Sequence, residues 1–88
     1  MAAHRVEVAT RARRDLERLA PALVERLGHA LMALADDPRP RSCEKLVGTD
    51  AYRIRVGDYR IVYEIDDRAR VVIVSRIRHG REVYRKLR

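Results

Sequence analysis

Between Tyr52 and Ile65 the chain alternates apolar and polar residues on both sides of a Gly57-Asp58 pair. A period of two puts successive side chains on opposite faces of a strand. Gly57-Asp58 fits a two-residue turn with glycine at its first central position, so the stretch predicts a β-hairpin. The turn fixes the register and sets Arg55 opposite Arg60 and Ile54 opposite Ile61. One face then carries Tyr52, Ile54, Ile61, Tyr63 and Ile65, which read as core positions. The other carries Arg53, Arg55 and Arg60, with Val62 and Glu64. Like charges directly opposed destabilise a hairpin. A surface that meets an anion tolerates them. Phosphate suits arginine, whose planar fork binds it through two parallel hydrogen bonds. The competing reading is a solvated face neutralised by Asp58 and Glu64.

The rest of the chain supplies what must cover the apolar face. Arg5-Val6-Glu7-Val8 alternates and predicts a short strand. Thr10 is placed as an N-cap, and Ala12, Leu16 and Leu19 then recur at helical spacing. Pro21 interrupts that pattern and fits the first turn of a second helix. Leu23, Leu27, Leu31 and Leu34 form the stripe of this helix, which runs to about Asp36 before Pro38 stops it. The two helices are expected to form a hairpin. Residues 38–50 read as a loop. Strands are expected at about 51–56, 59–66 and 70–78, with Asp66-Asp67-Arg68-Ala69 as the second turn. Val71-Val72-Ile73-Val74 is apolar on both faces and predicts a covered, central strand. Residues 80–88 are expected to form a short helix. Helices followed by strands point to an α+β fold. The expectation is one small domain over residues 1–88, with an N-terminal strand and a helical hairpin packed on an antiparallel sheet.

Composition narrows the partners. Twenty basic residues stand against thirteen acidic ones, for a net charge of +7 among 88 residues. Charge of this size speaks to partners rather than to fold and favours a polyanion, nucleic acid first. A membrane is discounted, because no apolar run approaches the roughly 20 residues of a span. No apolar signal stretch opens the sequence, so a cytoplasmic location is expected. Phe and Trp are absent, leaving Leu, Val, Ile, Ala and Tyr to build a thin core. Cys43 is the single cysteine and can form no internal disulfide. His4, His29 and His79 show no metal-ligand spacing, so no metal or cofactor is expected.

Three segments together carry a resemblance: Tyr52-Arg53-Ile54-Arg55-Val56-Gly57-Asp58-Tyr59-Arg60-Ile61-Val62-Tyr63, the apolar strand 71–74, and Arg78-His79-Gly80-Arg81-Glu82-Val83-Tyr84-Arg85. The chain resembles the RelE/ParE superfamily of type II toxin–antitoxin toxins along its whole length. The Glu-Val-Tyr ending favours the RelE-like branch, whose members cut mRNA in the ribosomal A site. The resemblance implies basic RNA-binding positions at Arg53 and Arg55, and Arg76, Arg78 and His79 are further RNA-binding candidates. It implies catalytic positions at Arg60, Arg81 and Tyr84. Gly80 falls where the family often has an arginine, and either Arg78 or Arg81 must take that role. The implied partners are a cognate antitoxin, the ribosome and mRNA, with DNA reached only through an antitoxin complex. Two alternatives remain, a ParE-like toxin that inhibits gyrase without nuclease activity and a non-catalytic RNA-binding module.

The chemistry follows from the residue types. RNA is cut when its own 2′-hydroxyl attacks the adjacent phosphate in line. The protein must hold the backbone, stabilise charge on the phosphorane-like transition state and move two protons. Arginines serve the first two needs, but a guanidinium with a pKa above about 12 is a poor base. Proton removal therefore falls to Tyr84 or His79, and Tyr84 is the family's choice. Clustered guanidinium groups favour phenolate. Protonation of the leaving 5′-oxygen falls to Arg81 or His79.

Overall fold

The computed structural model describes residues 4–80. Seven elements follow in order: β1 (Arg5–Val8), α1 (Thr10–Glu17), α2 (Pro21–Asp36), β2 (Glu44–Lys45), β3 (Tyr52–Val56), β4 (Tyr59–Asp66) and β5 (Val71–His79). The strands form one sheet in the order β1-β5-β4-β3-β2. The α+β class is as expected, but the sheet is mixed rather than antiparallel. β1 lies parallel to β5, with Arg5 paired to Val71 and Val8 to Val74. Two helices and three strands intervene between them, which gives the chain the long crossover that a parallel pair requires. β5 is therefore flanked on both sides, as its two-sided apolar run demands. The expected C-terminal helix falls almost wholly outside the described residues, as do Arg81 and Tyr84.

The hairpin has the predicted register: Ile54 pairs with Ile61 and Arg55 with Arg60. Gly57 has a φ of 60°, while Asp58 keeps a negative φ, as expected for a turn with glycine at its first central position. β4 and β5 pair from Tyr59–His79 to Asp66–Val71, with a bulge at Val62/Tyr63 that leaves one extra residue on β5. The bulge re-phases that strand, so Val72, Val74 and Ile77 all face the core.

Both helices pack on this sheet. Leu27, Leu31 and Leu34 of α2 and Ala12 of α1 join Ile54, Ile61, Tyr63, Val72, Val74 and Ile77 in one buried cluster. Tyr52 and Tyr59 are half-buried beside it, so all three sheet tyrosines belong to the core side. Tyr63 is completely buried, and its hydroxyl donates to the Pro38 carbonyl at 2.7 Å. Burial pushes the Tyr63 phenol above its usual range, so it stays a neutral donor that pins the loop after α2. Met32, next to the helical stripe, is largely exposed.

Two helix boundaries differ from the sequence reading. Ala9, not Thr10, is the N-cap of α1, and its N–H donates to the Val74 carbonyl. The β1–β5 ladder thus runs directly into the helix and leaves no residue for a side-chain cap. At the other end, α1 stops at Glu17, which puts Leu19 in the connection to Pro21, the first residue of α2. Proline's fixed φ and missing N–H suit that position.

Beyond Val74 no strand among the described residues lies at the outer edge of β5, and Asp15 of α1 takes the place of one. Its carboxylate accepts from the Ile77 N–H at 2.9 Å and from Arg76 at 3.0 and 3.3 Å. Burial works against the charged carboxylate. The bonds from Arg76 and Ile77, with the charges of Arg76 and Arg78, outweigh it and hold Asp15 below the usual carboxylate range. Asp15→Ala should cost about 2–3 kcal/mol, the scale of hydrogen bonds to a charged group plus the penalty of stranding their partners. A carboxyl whose folded pKa is depressed stabilises above its unfolded value and loses that contribution as pH falls through the folded one. Urea midpoints of wild type and Asp15→Ala should thus differ at neutral pH and converge below about pH 4. A gap that persisted into acid would show that the carboxylate charge is not what anchors α1.

Candidate nucleic-acid interface

The strand register assembles the basic face. Arg60 on β4 pairs with Arg55 on β3 on one side and with Arg78 on β5 on the other. Paired residues share a face, so three arginines form a row across three adjacent strands. The next row is Arg53, Val62 and Arg76. The sequence left open whether Arg76 and Arg78 share the hairpin's basic face, and the register places them there.

The environments of these arginines differ. Arg53 is ion-paired to Glu44 at 2.9 Å. Glu44 lies on β2, within the segment expected to be loop, and a two-residue strand carries too little pattern to be read from sequence. Glu44, rather than Asp58 or Glu64, the acids considered as neutralising partners, is the carboxylate ion-paired to Arg53. Arg55 is exposed and donates one bond, from Nε to the Gly57 carbonyl at 3.2 Å. Arg60 is half-buried and donates to the Tyr59 carbonyl at 3.3 Å. Ser42, Glu44, Arg53, Arg55 and Arg60 line a small cleft on this face.

Gly80 explains how Arg60 is held. A Cβ at this position would sit 3.0 Å from Arg60 Cζ and Nη1. The Gly80 N–H also donates to the Asp58 carbonyl at 2.8 Å, tying the end of β5 to the hairpin turn. The glycine that departs from the family's usual arginine therefore makes the space that the Arg60 guanidinium fills.

Arg76 is engaged with Asp15 at the sheet edge, and Arg78 lies near enough to lower that carboxyl's pKa. His79 pairs with Tyr59, and the two rings meet edge to face at 5.6 Å. Tyr59 belongs to the side of the sheet that carries Ile61 and Tyr63, so the register puts His79 on the face opposite Arg60. Arg60, Arg55 and Arg78 are thus brought together, Arg53 lies beside them with its acid partner, and His79 stands apart.

Such a row can cradle successive backbone phosphates or a single phosphate carrying extra charge. The three arginines supply fork-shaped donors from adjacent positions, and the β-sheet that carries them does not need to reorganise as charge develops.

A small α+β domain with a five-stranded mixed sheet and one arginine-lined face has well-matched relatives. Residues 6–84 match the family described as ParE toxin of type II toxin-antitoxin system, parDE. The toxin RelG of Mycobacterium tuberculosis is 35% identical over 86 residues, covering 92% of this chain and 95% of that protein. The putative toxin RelE1 of Methanocaldococcus jannaschii is 27% identical over 84 residues, covering 91% and 93%. Among solved structures, the toxin–antitoxin complex RelBE2 of M. tuberculosis superposes with a TM-score of 0.79 at 30% identity, covering 86% of this chain and 96% of that one. The intact RelBE complex of E. coli gives 0.77 at 29% identity, covering 88% and 96%. The chain belongs to the RelE/ParE superfamily of type II toxin–antitoxin toxins, in its RelE-like branch.

Proposed function

We propose that this toxin is a ribosome-dependent mRNA endonuclease held in check by a cognate antitoxin. The observation that carries the reading is the Arg55-Arg60-Arg78 row, a like-charge arrangement across three strands that an anionic ligand favours. Arg60 stabilises the charge that builds on the scissile phosphate. Arg55 and Arg53 hold the backbone on one side, and Arg78 holds it on the other. Tyr84 takes the proton from the 2′-hydroxyl, and the 2′-oxygen attacks the adjacent phosphorus. The bond to the 5′-oxygen breaks, and Arg81 returns a proton to that leaving group. The products are a 2′,3′-cyclic phosphate and a free 5′-hydroxyl. The placement of His79 beside Tyr59, on the far side of the sheet, supports Tyr84 over His79 as the base. Antitoxin and toxin are joined in the related RelBE2 and RelBE complexes. For this chain the same basic face is the natural target of an antitoxin's carboxylates.

With a tyrosine and an arginine in place of the paired histidines or His–Glu couple of a self-sufficient ribonuclease, the protein depends on the ribosome to bend the substrate into line. Defined mRNA should be cut on programmed ribosomes and left intact when free, and the new ends should carry 2′,3′-cyclic phosphate or the 3′-phosphate derived from it. Rapid cutting of free RNA to 3′-hydroxyl ends would exclude the mechanism. The match to the ParE description favours one other reading, a gyrase-directed toxin. Inhibition of gyrase on supercoiled DNA, with mRNA on ribosomes left whole, would establish that instead.

A further inference from the structure

The hairpin turn carries a cation that the strand pattern does not reveal. Arg26, on the exposed side of α2, lays its guanidinium against Gly57: a Cβ built there would lie 3.2 Å from Arg26 Nη1 and 3.5 Å from Cζ. Arg55 reaches the same residue from the strand, through its bond to the Gly57 carbonyl. Two guanidinium groups thus flank one turn glycine. Arg26 makes no hydrogen bond or ion pair with any other described residue, and Arg55 uses one of its five N–H groups. Asp58 is next in sequence, exposed, and ion-paired with neither. Elsewhere arginines are neutralised where an acid is near, as in Arg39–Asp67, Arg53–Glu44 and Arg76–Asp15. The tip is left positive, and it adjoins the Arg55-Arg60-Arg78 row.

We propose that Arg26 is a phosphate-binding residue that extends the RNA site around the hairpin tip, gripping the strand beyond the phosphate held by Arg60. This rests on the RNA-directed reading of the basic face. The position suits a polyanionic strand because Arg26 and Arg55 are presented on two sides of one tight turn, and a flexible backbone leaving the sheet face passes over that turn. Gly57 serves twice. Its φ of 60° makes the turn, and its missing side chain leaves room for the guanidinium.

The test uses the full chain and a single-stranded 2′-O-methyl oligonucleotide, which lacks the attacking hydroxyl and so reports binding without cleavage. Arg26→Ala should weaken binding about three- to tenfold near 0.1 M salt and lower the slope of log K against log salt by about 0.7, the loss of one phosphate contact on a single strand. Arg26→Lys should keep the slope, because the charge remains. Arg68→Ala removes an equal charge from the turn at the far end of the sheet and should leave the slope unchanged. An unaltered slope in Arg26→Ala overturns the proposal, as does an equal effect of Arg68→Ala, which would reduce it to net charge. Loss of affinity for an acidic antitoxin segment with RNA binding intact assigns Arg26 to that protein instead and also overturns it. The measurement is separate from the nuclease reading, which fails if the wild-type chain leaves mRNA on ribosomes uncut.

Discussion

Arg60→Ala should lower the rate of mRNA cleavage on ribosomes by about 10²–10³-fold, the usual cost of removing one preorganised donor from a developing oxyanion. The expectation comes from its position. Arg60 is the middle of the arginine row, on a strand hydrogen-bonded on both sides, with its guanidinium seated in the space above Gly80. A group so fixed spends little free energy on reorganisation as the phosphorane charge forms. Stability should change little, because the truncation also relieves repulsion from Arg55 and Arg78. Single-turnover cleavage alongside a urea melt separates the two effects. Wild-type activity in a folded Arg60→Ala protein would remove Arg60 from the transition state. Gly80→Ala is the companion variant. Its methyl group should push against the guanidinium and slow cleavage in the same direction, to a smaller degree.

Tyr84→Phe should slow the chemical step by about 10²–10⁴-fold, the range for losing general acid–base help. Ribosome affinity should barely move, because the arginines supply it. The wild-type rate should rise with pH as more of the phenol ionises, and the residual rate of Tyr84→Phe should lose that dependence. If Tyr84 only packs against the sheet, phenylalanine fills its place and activity persists. His79→Ala then becomes the damaging change, against the placement of His79 beside Tyr59. Single-turnover rates of the two variants on programmed ribosomes decide between them.

The features legible in the sequence are those fixed by local chemistry. Gly57-Asp58 set the turn, the turn set the register, and the register predicted both the Arg55–Arg60 opposition and the buried Ile54–Ile61 pair. Pro21 located the start of α2, and the leucine stripe gave its buried side. The parallel pairing of β1 with β5 was not legible, because a four-residue edge strand has the same alternation whichever way its neighbour runs. Glu44 was missed as a partner of Arg53 because the match is made across strands rather than along the chain. Nothing in the sequence sets Asp15 apart from other acids on a helix surface, yet it substitutes for a strand at the edge of β5. Arg26 had no signal at all: its role rests on a glycine thirty-one positions away that α2 happens to overlie. Such long-range juxtapositions arise from tertiary packing, which periodicity does not encode.

The place of β5 in the sheet also fixes the order in which the molecule can be put together. It follows every other described strand, yet it joins β1 to β4, and Asp15 and Gly80 make their bonds through its far end. The β3–β4 hairpin can close early on its own local contacts. β1 has no partner in the sheet until β5 arrives, and pairing across so long a stretch of chain is slow. The Arg55-Arg60-Arg78 row is completed in the same late event. A ribosome making this protein therefore carries only two-thirds of that row until β5 has emerged, so the anion-binding face is incomplete on every shorter nascent chain.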